Sequence, residues 1–283
     1  MSALEINKKA IIYWENGLST QKYDNVAAEE PLEIIVRLKL ENRTVFKTIS
    51  ITMRTPGQDE QLALGFLFNE GIIDSKFDVL SIDQRMNCSG DDITHQSIIF
   101  ELNPKLNNRI VNLNRHFYTS SSCGVCGKTA IDLAMTNSHF IPKKLPGAIN
   151  PFTLGQLPEI LKKEQKLFHL TGGIHACGVF DLDHNLIFFA EDVGRHNALD
   201  KVAGWCLKNE TIPLSEHILI LSGRASFELV QKAMCLGIPI ICSVGAPSSL
   251  AIELAESLGL TLVGFLKNNK MNIYSAAYRI DLT

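Results

Sequence analysis

The chain has 283 residues, of which 46% are hydrophobic and 20% are charged, and its formal net charge is −3. This composition is typical of a globular protein with room for two modest domains, and it argues against a broad basic surface for nucleic acid or an anionic membrane. The sequence has no run of about eighteen apolar residues and no signal-peptide pattern at its start, so we expect a cytoplasmic protein without membrane attachment.

The first hundred residues show strand patterns and little helix. Segments rich in β-branched and aromatic residues predict strands at 10–14, 32–38 and 45–51, and a further hairpin is predicted between 79–85 and 97–102. After a Pro-Gly break, residues 59–68 have the apolar spacing of a short buried helix. We therefore predict an α+β domain over residues 1–112.

From residue 148 to residue 283 the pattern alternates between helix and strand. Helices are predicted at 152–163, 198–207, 225–236 and 248–258, and strands at 173–180, 185–190, 217–221, 238–244 and 260–266. Such alternation predicts parallel strands flanked by helices, as in α/β proteins. We assign this region to an α/β cofactor-binding domain.

Between the two regions, residues 113–147 form a predicted linker that carries Cys123 and Cys126 among glycine and serine residues. Flexible neighbours of this kind are typical of a reactive loop, whereas a thiol buried for packing lies among apolar residues. The remaining five cysteines are scattered singly, mostly in apolar surroundings, and we interpret them as thiols outside any disulfide.

The residues alone leave four interpretations of the Cys123–Cys126 pair open. A structural zinc site needs four ligands, and no second Cys or His pair is present. A thioredoxin-like redox pair would follow a strand and open a helix, which the preceding residues do not suggest. The two thiols could also be neighbours by chance, or one could carry sulfur as a persulfide with the other assisting.

Three predicted strands are each followed by a helix, and the residues that connect them are glycine, hydroxyl or charged residues. These connections lie at 191–197, 222–226 and 245–249. Each has helix capping as its simpler explanation. Together, and with Arg195 and Arg224 available, they favour a pocket for a nucleotide or pterin phosphate, because helix N-termini offer free backbone donors. No P-loop or dinucleotide-binding glycine pattern is present.

Two further segments each allow more than one interpretation. His175 and Cys177 could face the same side of a strand, but they are two ligands short of a metal site, so we interpret His175 as structural or as lining a ligand site. Residues 264–270 end an apolar segment and include two lysines and two asparagines. They are consistent with a solvent-exposed tail, or with the polar rim of a ligand site that contacts a base or a phosphate.

Taken in order, four segments at 122–127, 171–175, 191–201 and 221–224 resemble the FdhD/NarQ family of formate dehydrogenase accessory sulfurtransferases. The long string Glu-Asp-Val-Gly-Arg-His-Asn-Ala-Leu-Asp-Lys is specific, whereas a lone Cys-x-x-Cys would not be. The resemblance implies a sulfur carrier that accepts sulfur from a cysteine desulfurase and passes it to the molybdenum cofactor, in its bis(molybdopterin guanine dinucleotide) form, before insertion into formate dehydrogenase.

Carried onto this sequence, the resemblance implies that Cys123 carries the persulfide and that Cys126 is its companion. It associates the stretch from Phe265 to Lys270 with the cofactor. This stretch and the strand ends together give ten predicted cofactor-binding residues, which we expect to contact the guanine nucleotide moiety and other parts of the cofactor. They are Arg195, His196, Ser222, Arg224, Phe265, Leu266, Lys267, Asn268, Asn269 and Lys270.

The family resemblance also implies a C-terminal three-layer α/β fold like that of cytidine deaminases, and a homodimer. Deaminase chemistry is not expected, because the sequence lacks the His-x-Glu and Pro-Cys-x-x-Cys segments of the zinc site. We expect no intrinsic metal. Two alternatives to the sulfurtransferase remain, a non-catalytic chaperone that binds the molybdenum cofactor and a thiol-disulfide oxidoreductase.

Overall fold

The computed structural model describes residues 5–40, 43–89, 92–112, 140, 145 and 147–283. The predicted reactive loop with Cys123 and Cys126 lies outside the described residues, and so does most of the predicted linker. The domain boundaries proposed from the sequence therefore remain predictions.

The N-terminal hairpin forms a separate two-stranded sheet. Strands β1 (Ile6–Glu15) and β2 (Leu18–Ala27) pair in antiparallel fashion over ten residues each. The turn uses Asn16 and Gly17, whose φ angles are 50° and 87°. Two consecutive positive φ angles are what a tight hairpin turn requires, and Asn-Gly is the favoured pair for it.

A four-stranded sheet follows, in the order β4-β3-β6-β5. Its strands are β3 (Glu30–Leu40), β4 (Arg43–Arg54), β5 (Val79–Ser89) and β6 (Asp92–Leu102). Both predicted hairpins are confirmed, and β3 pairs with β6 in parallel. Helix α1 (Asp59–Asn69) matches the predicted helix, and the short helix α2 (Asn107–Asn112) was not expected.

The C-terminal part contains a six-stranded sheet in the order β12-β11-β10-β9-β7-β8. The elements, in chain order, are α3 (Pro151–Glu164), α4 (Lys166–Thr171), β7 (His175–Asp181), β8 (Leu186–Asp192), α5 (Arg195–Lys208), β9 (His217–Leu221), α6 (Phe227–Cys235), β10 (Ile240–Ser243), α7 (Ser249–Leu258), β11 (Thr261–Lys267) and β12 (Lys270–Ser275). The mixed α/β class is thus confirmed.

The sheet is only partly parallel, in contrast to the sequence prediction. Strands β9, β10 and β11 are parallel, but β7 runs antiparallel to both of its neighbours, β8 and β9. A tight turn makes β8 antiparallel to β7, and the crossover through α5 then brings β9 in parallel to β8 on the other side of β7. Strand β12 returns antiparallel to β11, so residues 264–270 form the end of one strand and an exposed turn to the next, and not a tail.

The six-stranded sheet is covered on both faces. Leu154, Leu157 and Leu161 of α3 pack on one face in a core with strand residues such as Ile220 and Val263. Helices α5, α6 and α7 pack on the other face, and this second core continues into α1 and the four-stranded sheet. The C-terminal part therefore has three layers, and apolar packing joins it to the N-terminal strands.

Helices α1 and α5 cross at two glycines. A Cβ atom added to Gly65 would lie 1.9 Å from the Asp200 carbonyl oxygen, and one added to Gly204 would lie 1.9 Å from the Gln61 carbonyl oxygen. Only glycine permits an approach this close. The crossing fixes α1 against α5, the helix that begins within the predicted motif at 191–201.

Candidate ligand site at the sheet edge

Strand ends that carry polar residues meet at one edge of the six-stranded sheet. The parallel strands β9, β10 and β11 end there. Because β7 is antiparallel to β9, its first residue, His175, lies at the same edge, opposite Asp192 at the end of β8. Ligands of open α/β sheets bind outside the carboxyl ends of the strands. The topology therefore brings the three predicted strand-end junctions to one place.

The chain stays hydrogen-bonded beyond these strand ends. The Ser222 hydroxyl accepts a bond from the Ala176 amide at 2.8 Å, and the Ser222 amide donates to the Ala176 carbonyl at 3.0 Å. The Gly245 amide donates to the Gly223 carbonyl at 3.0 Å. A Cβ atom on Gly245 would lie 3.0 Å from Arg224 Cγ, so the loops pack too closely for a larger residue. These bonds pre-organise the edge.

A cavity of about 860 Å³ opens between this edge and helix α3. Its size is within the range usual for small-molecule and cofactor sites. Residues of α3, of α4 and its flanks, of the β7 start and of the β11–β12 turn form its wall: Gly155, Pro158, Glu159, Leu161, Lys162, Gln165, Phe168, Gly172, Gly173, Ile174, His175, Val193, Ile220, Ser222, Val244, Leu266, Lys267, Asn268 and Asn269.

Two local features hold the wall of the cavity in place. A Cβ on Gly155 would lie 2.4 Å from the Asn268 carbonyl oxygen, so α3 and the β11–β12 turn touch through a glycine. The Glu191 carboxylate accepts hydrogen bonds from the Leu167 and Phe168 amides at 3.0 and 2.9 Å, which anchors α4. The sequence predicted α3 but not its role in the cavity, although a glycine within an otherwise regular helix was a usable signal.

Five of the predicted cofactor-binding residues line the cavity. Leu266 is buried, whereas the lysine and the two asparagines of the β11–β12 turn are exposed at the mouth. A lysine supplies a point charge for phosphate, and asparagine side chains supply both donors and acceptors. The five residues are Ser222, Leu266, Lys267, Asn268 and Asn269.

The other five, Arg195, His196, Arg224, Phe265 and Lys270, do not belong to the described wall of this cavity. Arg195 and His196 open α5, which packs on the opposite face of the sheet from α3. Phe265 has a φ of 52°, a costly conformation for a bulky residue, and lies where the β11–β12 register breaks. The structure thus places five of the ten predicted residues on the cavity wall and the other five outside it.

His175 lies on the cavity wall, half-buried. Burial lowers the pKa of its imidazole, the nearby Arg195 cation lowers it further, and Asp192 partly opposes both effects. The imidazole is therefore neutral at pH 7. A Cβ on Gly223 would come within 3.2 Å of His175 Nδ1, so the ring packs against the backbone of that glycine.

The motif at 191–201 contains a buried ion pair. Lys201 Nζ lies 2.8 Å from Asp192 Oδ2, and both side chains are almost fully buried. The ammonium also donates to the carbonyls of Thr55 and Glu191, at 3.0 and 3.1 Å. The Asp192 carboxylate accepts from the Thr55 amide at 3.2 Å and from the Gly194 amide at 2.9 Å. Asp192 thus pairs with Lys201 of the same motif.

Asn197 extends this network to the N-terminal sheet. Its side-chain amide donates to the Met53 carbonyl at 2.8 Å and to Asp192 Oδ1 at 3.0 Å, and its oxygen accepts from Thr52 Oγ1 at 3.2 Å. The contacts join residues about 140 positions apart in the chain. Much of this motif therefore has a structural role, which is to hold the end of β4 against the start of α5.

A second buried pair joins Lys232 of α6 to Asp200, which directly precedes Lys201 on α5. Lys232 Nζ is 2.6 and 2.8 Å from the Asp200 carboxylate oxygens, and Asn69 Nδ2 donates to Asp200 Oδ1 at 2.7 Å. His196 Nδ1 lies 3.3 Å from Glu228 Oε2 but without hydrogen-bond geometry. Burial, followed by the Lys232 and Arg195 charges, lowers the pKa of His196 to about 4. We expect a neutral His196 at pH 7.

Four of the scattered cysteines, Cys177, Cys206, Cys235 and Cys242, are buried and form no disulfide. Burial raises the pKa of Cys206 and of Cys235 to about 11, and it raises the pKa values of Cys177 and Cys242 as well. Since the thiolate is the nucleophile, these sulfurs are poor carriers. The interpretation of these four as packing thiols is confirmed.

Within the part of the chain that the structure describes, no three His, Cys, Asp or Glu side chains gather as a metal-binding group. In the same residues, no helix has the length and apolar character needed to cross a bilayer.

The fold and the site define a mixed α/β protein with a ligand cavity at the carboxyl edge of its larger sheet. The sequence model of the FdhD/NarQ family matches residues 27–281. The chain belongs to this family, as the motifs indicated. The matched region begins at the last residue of β2, so almost all of the N-terminal hairpin precedes it.

Similar curated proteins span nearly the whole chain. A protein of Mycolicibacterium paratuberculosis named sulfur carrier protein FdhD is 42% identical over 275 residues, which are 97% of this chain and 98% of that protein. A protein of Picrophilus torridus with the same name is 44% identical over 260 residues, covering 91% and 92% of the two chains.

A solved structure has the same fold. It is the crystal structure of a formate dehydrogenase accessory protein from Desulfotalea psychrophila, described there as putative, and the TM-score is 0.70. The likeness covers 98% of this chain and 99% of that one at 23% sequence identity. At this identity the comparison shows the fold alone.

Proposed function

We propose that the protein is a sulfur carrier for the maturation of formate dehydrogenase. It accepts sulfur from a cysteine desulfurase as a persulfide and delivers it to the molybdenum cofactor, bis(molybdopterin guanine dinucleotide), before that cofactor enters the enzyme. The relatives named as sulfur carrier proteins, which align over nearly their full length, support this role. The working assembly is a cytoplasmic homodimer.

Cys123 carries the sulfur in this proposal, and Cys126 assists. The Cys123 thiolate attacks the outer sulfur of the donor's persulfide, a new S–S bond forms, and the donor leaves as a thiolate. The unreactive character of the four buried cysteines supports the assignment, because burial disfavours their thiolates.

The observation that carries the cofactor assignment is the lining of the cavity. Four consecutive residues of the stretch that the family associates with the cofactor, from Leu266 to Asn269, contribute to its wall. Lys162 and Lys267 supply positive charge for a diphosphate, and Gly172 and Gly173 offer backbone without side chains. The volume of about 860 Å³ accommodates a nucleoside diphosphate portion of the cofactor.

The carrier assignment is tested by intact-mass spectrometry after incubation with a desulfurase and cysteine. We expect the wild-type protein and the Cys126→Ala variant to gain about 32 Da, the mass of one sulfur atom, and the Cys123→Ala variant to gain none. Retention of the adduct on Cys123→Ala would defeat the assignment. Absence of any adduct on the wild-type protein would favour the cofactor-binding chaperone, and rapid insulin reduction by the dithiol form would favour the oxidoreductase.

A further inference from the structure

His175 differs from two polar neighbours at the cavity edge, Ser222 and Asp192. The neighbouring Ser222 hydroxyl is already bonded to the main chain of β7, and Asp192 is fully engaged with Lys201 and backbone amides. The His175 imidazole, in contrast, makes no hydrogen bond or ion pair within the described part of the chain. It is a half-buried polar group on a cavity wall, which is the position of a ligand contact.

The surroundings of His175 keep its ring uncharged. Burial disfavours the charged ring most, the nearby Arg195 cation disfavours it further, and Asp192 acts in the opposite sense. His196 is the other titratable group coupled to it. On the cavity wall, the charged residues are Glu159, Lys162 and Lys267. A neutral imidazole keeps a lone pair on one ring nitrogen, so it can accept a hydrogen bond as well as donate one.

The orientation of the ring is fixed by its neighbour. Nδ1 and Cε1 of His175 lie 3.2 and 3.3 Å from the position that a Cβ on residue 223 would occupy. Real Cβ contacts are rarely this short, so Gly223→Ala would push the ring from its place. Gly223 therefore sets where the imidazole can meet a ligand.

We propose that His175 is a specificity-determining residue of the cavity, and that its imidazole accepts a hydrogen bond from an N–H or O–H of the nucleoside portion of the bound cofactor. This inference rests on the proposed function, which places a guanine nucleotide moiety in the cavity. The phosphate oxygens have no proton to donate at neutral pH, and Lys162 and Lys267 are the residues suited to them. His175 thus recognises the nucleoside, and the two lysines bind the negatively charged diphosphate.

Isothermal titration calorimetry with GDP and with inorganic pyrophosphate separates the two contacts. We expect His175→Ala to weaken GDP binding by about tenfold, and His175→Gln, which keeps an acceptor, to weaken it by no more than about threefold. Pyrophosphate binding should change by less than about twofold in both variants, since it has no nucleoside. Gly223→Ala, which forces the ring to move by a few tenths of an ångström, should also weaken GDP binding, but by less than His175→Ala. Melting temperatures close to that of the wild-type protein establish that each variant is folded.

His217→Ala is the matched control. His217 is also half-buried, and its pKa is also lowered by burial, but it starts β9 at the opposite edge of the same sheet. Its removal should leave GDP binding unchanged. If the wild-type protein binds GDP and His175→Ala binds it equally well, or loses GDP and pyrophosphate to the same extent, the role of His175 is wrong while the cavity assignment stands. If the wild-type protein binds neither ligand, the cavity assignment itself fails and takes this inference with it.

Discussion

Lys201 and Asp192 form an ion pair of 2.8 Å that is almost completely removed from solvent. The pair lies where the end of β4, the end of β8 and the start of α5 meet, and the same ammonium holds the Thr55 carbonyl. A charge buried in this way is stabilising only while its partners remain, because desolvation of either ion alone is costly.

We therefore expect Lys201→Met to lower the free energy of unfolding by about 3–5 kcal/mol, since it leaves the Asp192 carboxylate buried without its cation. Urea denaturation followed by circular dichroism measures this change. The control is Lys208→Met, which breaks the surface pair with Glu60 at the same distance of 2.8 Å. That change should cost less than about 1 kcal/mol. Equal effects of the two substitutions would contradict the structural role of the motif.

The glycine crossing of α1 and α5 makes a second prediction. Gly204→Ala and Gly65→Ala should each destabilise the protein by about 2–3 kcal/mol, because the added methyl group meets backbone atoms that cannot rotate away. Gly147→Ala, where nothing lies within 4 Å, is the neutral control. Thermal unfolding of the three variants decides the matter, and a melting temperature of Gly204→Ala equal to that of Gly147→Ala would show that the helices do not cross as described.

The pKa of His196 predicts how stability responds to acid. Its value is lowered from 6.5 to about 4 in the folded protein. Above pH 6.5 the ring is neutral in both states; between 6.5 and 4 the unfolded chain takes up a proton that the folded protein does not. The free energy of unfolding should thus fall as the pH drops through this window, by up to about 1.4 kcal/mol per pH unit for this one group.

Replacing His196 by Gln should reduce this acid-induced loss of stability. The measurement is urea denaturation at intervals between pH 4 and pH 7, and His169→Gln, at an exposed position on α4, is the control. His175 and His217 also have lowered pKa values, so part of the pH dependence should persist in the variant. If the free energy of unfolding of the His196→Gln variant fell with decreasing pH as steeply as that of the wild-type protein, the burial of His196 would be contradicted.

The cysteines differ in their expected reactivity. With pKa values of about 11, Cys206 and Cys235 have a thiolate fraction of about one in a thousand at pH 8, and burial blocks access as well. Iodoacetamide should leave Cys177, Cys206, Cys235 and Cys242 unmodified in the native protein and label them in urea. Peptide mass mapping reports this directly. Rapid native labelling of any of the four would reopen the choice of sulfur carrier.

The sequence predicted local elements well because hydrophobic periodicity and breaker residues are local signals. Strand β9 was predicted at its observed limits, and the limits of α7 differ by one residue. The orientation of β7 was not predicted, because it depends on which strands become neighbours. The contacts of Lys201 with Thr55 and of Lys232 with Asp200 join segments far apart in the chain, and single-sequence patterns do not report such pairs.

The candidate site was predicted only in part, because long-range packing brings some of its residues together. Ser222 and the turn after β11 were identified from strand-end chemistry and family resemblance. The contributions of Gly155, Lys162 and Phe168 depend on where α3 and α4 pack, which only the folded chain determines. Arg195 and His196 were grouped with the cavity because their strand ends at the correct edge. They open α5, which packs on the other face of the sheet from α3, and neither belongs to the described wall of the cavity.

The central claim is that sulfur moves from Cys123 to a cofactor held by this protein. The direct measurement loads the protein with ³⁴S from labelled cysteine and a desulfurase, removes the donor, adds unsulfurated bis(molybdopterin guanine dinucleotide) cofactor, and follows the label by mass spectrometry. We predict that the adduct of about 34 Da disappears from the protein and that the label appears on the cofactor, with no transfer by the Cys123→Ala variant. An adduct that stays on the protein while unlabelled cofactor is bound and released would contradict the account.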